Sequence, residues 1–186
     1  MNLLNTEHSP VAYATDFVLY GAACLVLLGS IVALAPVHTW GLLAGWALLG
    51  LLAWTALEYA LHRFVLHGLQ PFSRWHNEHH RRPEALISTP TLVSAGLFMG
   101  LVYLPALFVL GPWPAAALTL GLLVGYLWYS TVHHAIHHWT LDTPWLRQRK
   151  RWHAEHHHVF PVSGFGVTTR AWDNMFRAAT NRWMRG

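Results

Sequence analysis

Residues 74–80 read RWHNEHH, and residues 151–157 repeat the stretch as RWHAEHH. Each copy places three histidines at positions i, i+3 and i+4, which share one face of an α-helix. We therefore expect each triad to converge on one point. The triads are His76, His79 and His80, and His153, His156 and His157. Neutral imidazole is the commonest metal ligand in proteins, so the repeated stretch indicates a metal site.

Most of the 15 histidines lie in four groups, and the other two groups also have ligand spacing. His133 and His137 lie one helical turn apart. His62 and His67 are five residues apart, so an ideal α-helix cannot aim both at one point without distortion, although they could reach two neighbouring points. A structural zinc site would have four closed ligands and usually cysteine, whereas this chain has only Cys24. The pattern predicts two redox-active metal ions held side by side.

The composition predicts an all-α integral membrane protein. The chain has 186 residues, of which 54% are hydrophobic and only 11% charged, whereas soluble domains contain about 25% charged residues. Four apolar segments are long enough to span a bilayer, which takes about 20 residues each. The segments are about 17–37, 40–61, 91–110 and 115–132. We expect Pro105 to kink the third helix and the fourth helix to continue through the histidines that follow it.

The distribution of basic residues predicts the topology. Every lysine and arginine lies in residues 62–90 or 133–186, and the positive-inside rule makes these segments cytoplasmic. The four helices then form two hairpins, with a cytoplasmic helical cap that carries the metal site. Residues 1–16 are expected to be a cytoplasmic segment, and because they lack lysine and arginine the first apolar segment is a retained helix rather than a signal peptide. Residues 17–186 form one membrane domain, and the expected location is the bacterial inner membrane.

The order of the four groups resembles a known family. The patterns are His-x4-His (62–67), His-x2-His-His (76–80), His-x3-His (133–137) and His-x2-His-His (153–157). Their order and the two-hairpin topology resemble the membrane fatty acid hydroxylase / sterol desaturase superfamily of diiron oxygenases. The segment SGFGVTTRAWDNMF (163–176) looks like the one that follows the last histidine cluster in fatty acid 2-hydroxylases. The resemblance covers about residues 55–178.

The resemblance implies a set of site residues. The implied metal ligands are His62, His67, His76, His79, His80, His133, His137, His153, His156 and His157. His134 and His138 form an alternative pair in the third group. Glu78 and Glu155 occupy the same place in the two repeated stretches, where they either orient ligands or are solvated charges. Asp173 either orients a ligand imidazole or caps a helix.

The resemblance also implies an activity. Two iron ions, for which zinc could substitute in a structure, would use O2 to hydroxylate an unactivated C–H bond of a lipid, with a fatty-acyl chain as the first choice. Only residues 1–16 precede the first span, so two electrons would come from a separate cytochrome b5-like or ferredoxin-like donor. The basic stretch at 147–151 either binds lipid headgroups or an acidic electron carrier, or serves only to anchor the chain.

Three other functions are compared with this one. The first is a hydroxylase or desaturase of the same superfamily that acts on a carotenoid, sterol or sphingoid chain. The second is a membrane metal transporter, which should place polar ligands near the middle of the bilayer, where the predicted spans contain no histidine. The third is nucleic-acid binding, suggested by the net charge of +4. It is excluded because the basic residues follow the membrane topology rather than form one patch.

Overall fold

The computed structural model describes residues 6–158 and 163–176. Across these residues the chain is helical and contains no β-strand, only an isolated bridge between Glu7 and Ile87. The α-helices are α1 (Pro10–Leu34), α2 (Trp40–Ala60), α3 (Phe72–Arg81), α4 (Thr91–Leu97), α5 (Leu104–Leu110), α6 (Pro112–His138) and α7 (Pro144–His158). Three short helical turns interrupt or join them: a 3-10 turn at Val37–Thr39 and π-helical turns at Leu61–Leu66 and Phe98–Tyr103.

Four helical stretches are long and apolar enough to cross a membrane, which confirms the four predicted spans. They are Pro10–Leu34, Val37–Leu66, Thr91–Leu110 and Pro112–His138. The first helix begins well before the expected residue 17. The side chain of Ser9 caps it by accepting a hydrogen bond from the Ala12 N–H at 3.2 Å, and Pro10 occupies the first turn. The fourth helix continues through the histidines to His138, as the sequence predicts.

The third span is irregular next to its proline. The π-helical turn Phe98–Tyr103 comes directly before α5, which contains Pro105 in its first turn. Leu104 N–H donates to the carbonyl of Met99, a spacing of i to i−5. Because proline has no N–H, the helix must rearrange its hydrogen bonds near this residue. The irregularity therefore falls in the turn before Pro105.

The described chain divides into two compact units. The first comprises the described residues within Met1–Trp54 and Ala85–Leu127, and the second comprises those within Thr55–Glu84 and Trp128–Gly186. In the first unit, α2 and α6 approach closely at two glycines. A methyl group on Gly121 would lie 1.9 Å from the carbonyl oxygen of Ala47, and one on Gly50 would lie 2.3 Å from that of Leu118. Only residues without a side chain allow the two backbones to lie this close.

The second unit contains all of the predicted metal-ligand histidines. Its apolar core consists of Val132, Ala135, Ile136, Leu146 and Val167. These residues come from α6, from α7 and from the segment that precedes the helical residues 171–176. Burial of this core fixes the two elements and the segment to one another, and two of the four histidine groups lie on α6 and α7.

Candidate metal centre

The end of the second span places two histidines on one face through a π-helical turn. His67 N–H donates to the carbonyl of His62 at 3.2 Å, so the hydrogen bond spans five residues instead of four. Because a π-helix turns less per residue than an α-helix, residues five apart come closer to one face. The two rings consequently lie 5.2 Å apart, centroid to centroid. This turn is the distortion that the spacing of His62 and His67 requires.

The histidines form two groups whose ring nitrogens converge. The first group is His62, His67, His76, His80 and His156. The second group is His79, His133, His137 and His153. Each histidine of a group offers one ring nitrogen, and these nitrogens all lie within 4.8 Å of one another, a separation that could hold a metal ion.

Each repeated stretch contributes to both groups, so the expectation that each triad converges on one point is wrong. In the first stretch His76 and His80 join the first group, whereas His79 joins the second. In the second stretch His156 joins the first group and His153 the second. Positions i and i+4 of an α-helix point in similar but not identical directions, and i+3 lies to the other side. Two adjacent centres can therefore share one helix.

His157 belongs to neither group but lies against both. Its ring is stacked on that of His80, with centroids 4.0 Å apart, and lies 4.4 Å from that of His153. Both of its nitrogens are buried and have no hydrogen-bond partner among the described residues, and the same holds for His79. Leaving a buried polar atom without a partner costs about 1–3 kcal/mol. A metal ion would supply the missing partner.

The spacing of the nitrogens fits metal ligation. The Nε2 atoms of His62 and His76 lie 2.9 Å apart, and those of His137 and His153 also lie 2.9 Å apart. Two ligand nitrogens about 2.1 Å from one ion, at right angles to each other, lie about 3.0 Å apart. The described residues of both groups therefore fit a pair of metal ions.

Burial keeps these imidazoles neutral. Burial, followed by repulsion from His156, lowers the pKa of His67 to about 4. Burial and neighbouring histidines lower the pKa of His79 to about 3 and that of His80 to about 3. The pKa of His153 also lies well below its usual value, with burial as the largest cause. A neutral ring has a free lone pair at neutral pH, which is the form that binds a metal.

Two backbone carbonyls orient rings of the first group. The Nδ1 atom of His62 lies 2.7 Å from the carbonyl oxygen of Phe165. The Nδ1 atom of His156 lies 2.8 Å from that of Ser163. A carbonyl can only accept, so each ring carries its proton on Nδ1 and directs the lone pair of Nε2 into the group.

Two buried carboxylates hold the segment that carries these carbonyls. Asp173 accepts hydrogen bonds from the backbone N–H groups of Gly164, Phe165 and Gly166, at 2.9–3.0 Å. Among the described residues, its carboxylate hydrogen-bonds to this segment and not to an imidazole. Glu58 accepts from the backbone N–H of Val167 at 2.7 Å.

Sequence reasoning missed Glu58. This residue is 3% exposed and lies in the second span, one helical turn before His62. It is the only acidic residue of that span, and an ionisable group in a membrane helix is expected to be functional. That signal was available in the sequence.

The remaining predicted residues lie outside the two groups. Glu78 forms a salt bridge with Arg82 at 2.6 Å, and Glu155 one with Arg170 at 3.4 Å. Both carboxylates are partly solvated, so these contacts favour the solvated-charge alternative for each. His134 and His138 stack on each other, with ring centroids 4.5 Å apart, and belong to neither of the groups found in the described chain.

These observations define a class: a helical membrane protein in which histidines from four segments form two adjacent groups able to hold metal. The model of one family, fatty acid hydroxylase, matches residues 47–178. The chain belongs to this family, which confirms the resemblance found in the histidine pattern.

Proteins with assigned functions are similar to about two thirds of the chain. The dihydroceramide fatty acyl 2-hydroxylase FAH2 of Arabidopsis thaliana is 36% identical over 68% of this chain and 57% of its own length. The human fatty acid 2-hydroxylase is 30% identical over 73% of this chain and 40% of its own length. The chain thus spans roughly half the length of these relatives.

A solved structure has the same fold. It is full-length Scs7p, of which only the hydroxylase domain is visible. It matches with a TM-score of 0.77 and 25% identity, over 92% of this chain and 66% of that chain. The fold similarity therefore covers most of this chain.

Proposed function

We propose that this protein is a diiron hydroxylase that inserts one oxygen atom of O2 into a C–H bond of a fatty-acyl chain, at carbon 2. The other oxygen atom leaves as water, with two electrons and two protons supplied from outside. The two adjacent histidine groups are the observation that carries the proposal. The relatives whose names specify fatty acyl 2-hydroxylation support the substrate class and the position.

The proposed ligands are the ten histidines of the four segments. They are His62, His67, His76, His79, His80, His133, His137, His153, His156 and His157. Bound iron would supply O2 activation and the oxidising power for hydrogen abstraction, which amino-acid side chains lack. Imidazole suits iron as a ligand, and ten of them are sufficient for two ions.

The residues of the chain perform the remaining tasks. The carbonyl of Phe165 holds the Nδ1 proton of His62, so that Nε2 is available as a ligand without any proton transfer. The carbonyl of Ser163 does the same for His156. Burial keeps both rings away from water, since His62 is 1% and His156 0% exposed. A dry, preorganised site strengthens electrostatic interactions with whatever it binds.

The proposal includes the surroundings of the enzyme. Residues 17–186 act as one hydroxylase domain in a bacterial inner membrane, with the termini and the metal centre on the cytoplasmic side. A separate cytochrome b5-like or ferredoxin-like protein donates the electrons. The arrangement of the basic residues supports this orientation, because all of them lie in the two long connecting segments.

The test is product analysis in a bacterial host that makes no 2-hydroxylated lipid. Cells that express the protein receive a fatty acid with two deuterium atoms on carbon 2, under oxygen-18 gas. We expect a lipid that has gained one oxygen-18 atom and has lost one of the two deuterium atoms. A hydroxylated product that retains both deuterium atoms refutes carbon 2, and an unsaturated product without oxygen-18 refutes hydroxylation.

Two histidine variants complete the test. His156→Ala removes a buried member of the first group, and product should fall by more than about 100-fold. His38→Ala removes an exposed histidine from the turn between α1 and α2, and product should remain at the wild-type level. Equal product from the two variants would refute the role of the histidine groups.

A further inference from the structure

We infer that Glu58 and Asp173 are positioning residues for one metal ion only, the ion bound by the first histidine group. Through backbone hydrogen bonds they hold residues 163–168, whose carbonyls orient His62 and His156. The inference rests on the proposed function, because it assumes that the two groups bind metal ions.

Asp173 determines the conformation of residues 164–166. Its Oδ1 atom accepts from the N–H groups of Gly164 and Phe165, both at 3.0 Å, and its Oδ2 atom accepts from that of Gly166 at 2.9 Å. Gly164 has a φ of +78°, which favours glycine. Three N–H groups that point at one carboxylate turn the adjacent carbonyls in other directions, and that of Phe165 meets His62.

Glu58 holds the other end of the same segment. Its Oε1 atom accepts from the N–H groups of Val167 at 2.7 Å and Thr168 at 2.9 Å. Its Oε2 atom accepts from the hydroxyl of Thr168 at 2.5 Å. Glu58 precedes His62 by one helical turn, so it connects the segment to the helix that carries His62.

The orienting contacts of this segment are confined to the first group. Its carbonyls contact His62 and His156, both members of that group. No hydrogen bond from residues 163–168 to a histidine of the second group occurs among the described residues. Loss of the hydrogen bonds that hold this segment should therefore lower the affinity for one ion by about 10- to 100-fold, the effect usual for a residue that orients a ligand. The affinity for the other ion should not change.

The two carboxylates should respond differently to amide substitution. In Asp173→Asn, both original oxygens accept from N–H groups, so the new NH2 must face a donor wherever it points. In Glu58→Gln, the amide oxygen can keep both N–H contacts, and the NH2 can donate to the Thr168 hydroxyl, which reverses its role. We expect Glu58→Gln to retain both ions. Asp173→Asn and Glu58→Ala should each lose the ion of the first group.

The experiment measures ferrous iron. The full chain, purified in detergent and loaded anaerobically with ferrous iron, is challenged with a graded chelator, and the bound iron per chain is determined by elemental analysis. We expect wild type and Glu58→Gln to retain two ions at a chelator concentration where Asp173→Asn and Glu58→Ala retain one. Glu78→Gln, which removes a partly solvated carboxylate on α3, is the matched control and should retain two.

Double variants identify the ion that is lost. Asp173→Asn with His76→Ala affects the first group twice and should still retain one ion. Asp173→Asn with His153→Ala affects both groups and should retain none. Size-exclusion chromatography of each variant separates loss of a site from loss of folding. If Glu58→Ala aggregates, it is replaced by Thr168→Val, which removes only the hydroxyl contact of Glu58.

The outcomes are distinct. If Asp173→Asn retains both ions, or loses both, the inference is wrong. If Glu58→Gln loses as much iron as Glu58→Ala, the hydrogen-bond argument is wrong. If wild type binds no iron, the proposed function itself fails. If wild type binds two ions and forms no hydroxylated lipid, the reaction is wrong and the positioning role still stands on the iron measurements.

Discussion

At the scale of single residues, the most informative side chain is that of His157. The resemblance assigns it as the tenth ligand, yet its nitrogens belong to neither converging group. Its ring contacts members of both groups, His80 of the first and His153 of the second. Burial, followed by repulsion from His80, lowers its pKa, so it is a neutral ring with two unpartnered nitrogens among the described residues. Such a ring is suited to ligate an ion of either group.

We therefore predict that His157→Ala weakens iron binding by at least about 10-fold, because a ligand is lost where no other side chain replaces it. The measurement is iron retention against a chelator, together with hydroxylated lipid in cells. His158→Ala is the control: the neighbouring residue is exposed, belongs to neither group and should change iron retention by less than about twofold. Equal effects of both substitutions would contradict a specific role for His157.

At the scale of secondary-structure elements, the sequence predicted the positions of the helices better than the irregular turns within them. Apolar length was sufficient to find all four spans, because a helix that crosses a bilayer needs about 20 apolar residues. Spacing alone could not predict the π-helical turn that aligns His62 with His67, since such turns are rare interruptions of an α-helix. The carbonyl contacts of residues 163 and 165 were not predictable either, because every residue has a carbonyl.

The close contact of α2 with α6 leads to a prediction of stability. In Gly121→Ala, the new methyl group would lie 1.9 Å from the carbonyl oxygen of Ala47, so the two backbones must separate. We expect a loss of about 1–3 kcal/mol in the free energy of unfolding, the usual cost of overpacking. Thermal unfolding in detergent, followed by circular dichroism, measures the change as a lower Tm.

Gly45→Ala on α2 is the matched control for this substitution. A methyl group at Gly45 has no atom within 4 Å. Alanine there should leave stability unchanged or raise it by about 0.5–1 kcal/mol, because glycine in a helix has more conformational entropy to lose. A Tm that falls equally in both variants would attribute the effect to helix propensity and not to the contact of α2 with α6.

At the scale of the whole molecule, charge and apolar length together describe a membrane protein with one basic side. The connection between α1 and α2 and that between α5 and α6 carry no charged residue. All 12 lysines and arginines lie in two other segments, residues 62–90 and 133–186. The same two segments carry the histidine groups and their buried carboxylate Asp173. The basic residues and the residues of the candidate metal centre therefore lie in the same two segments of the chain.

The proposed orientation makes a prediction that a labelling experiment can test. Cys24 is the only cysteine, so Cys24→Ser provides a background without thiols. In this background, Val37→Cys lies in the 3-10 turn that joins α1 to α2, and Asp142→Cys lies between α6 and α7. Both positions are exposed, at 73% and 75%, so both thiols can react. Because basic segments remain in the cytoplasm, a membrane-impermeant maleimide added to intact spheroplasts should label Val37→Cys and should label Asp142→Cys only after lysis. The reverse pattern would place the metal centre on the outer side of the membrane, away from any cytoplasmic electron donor.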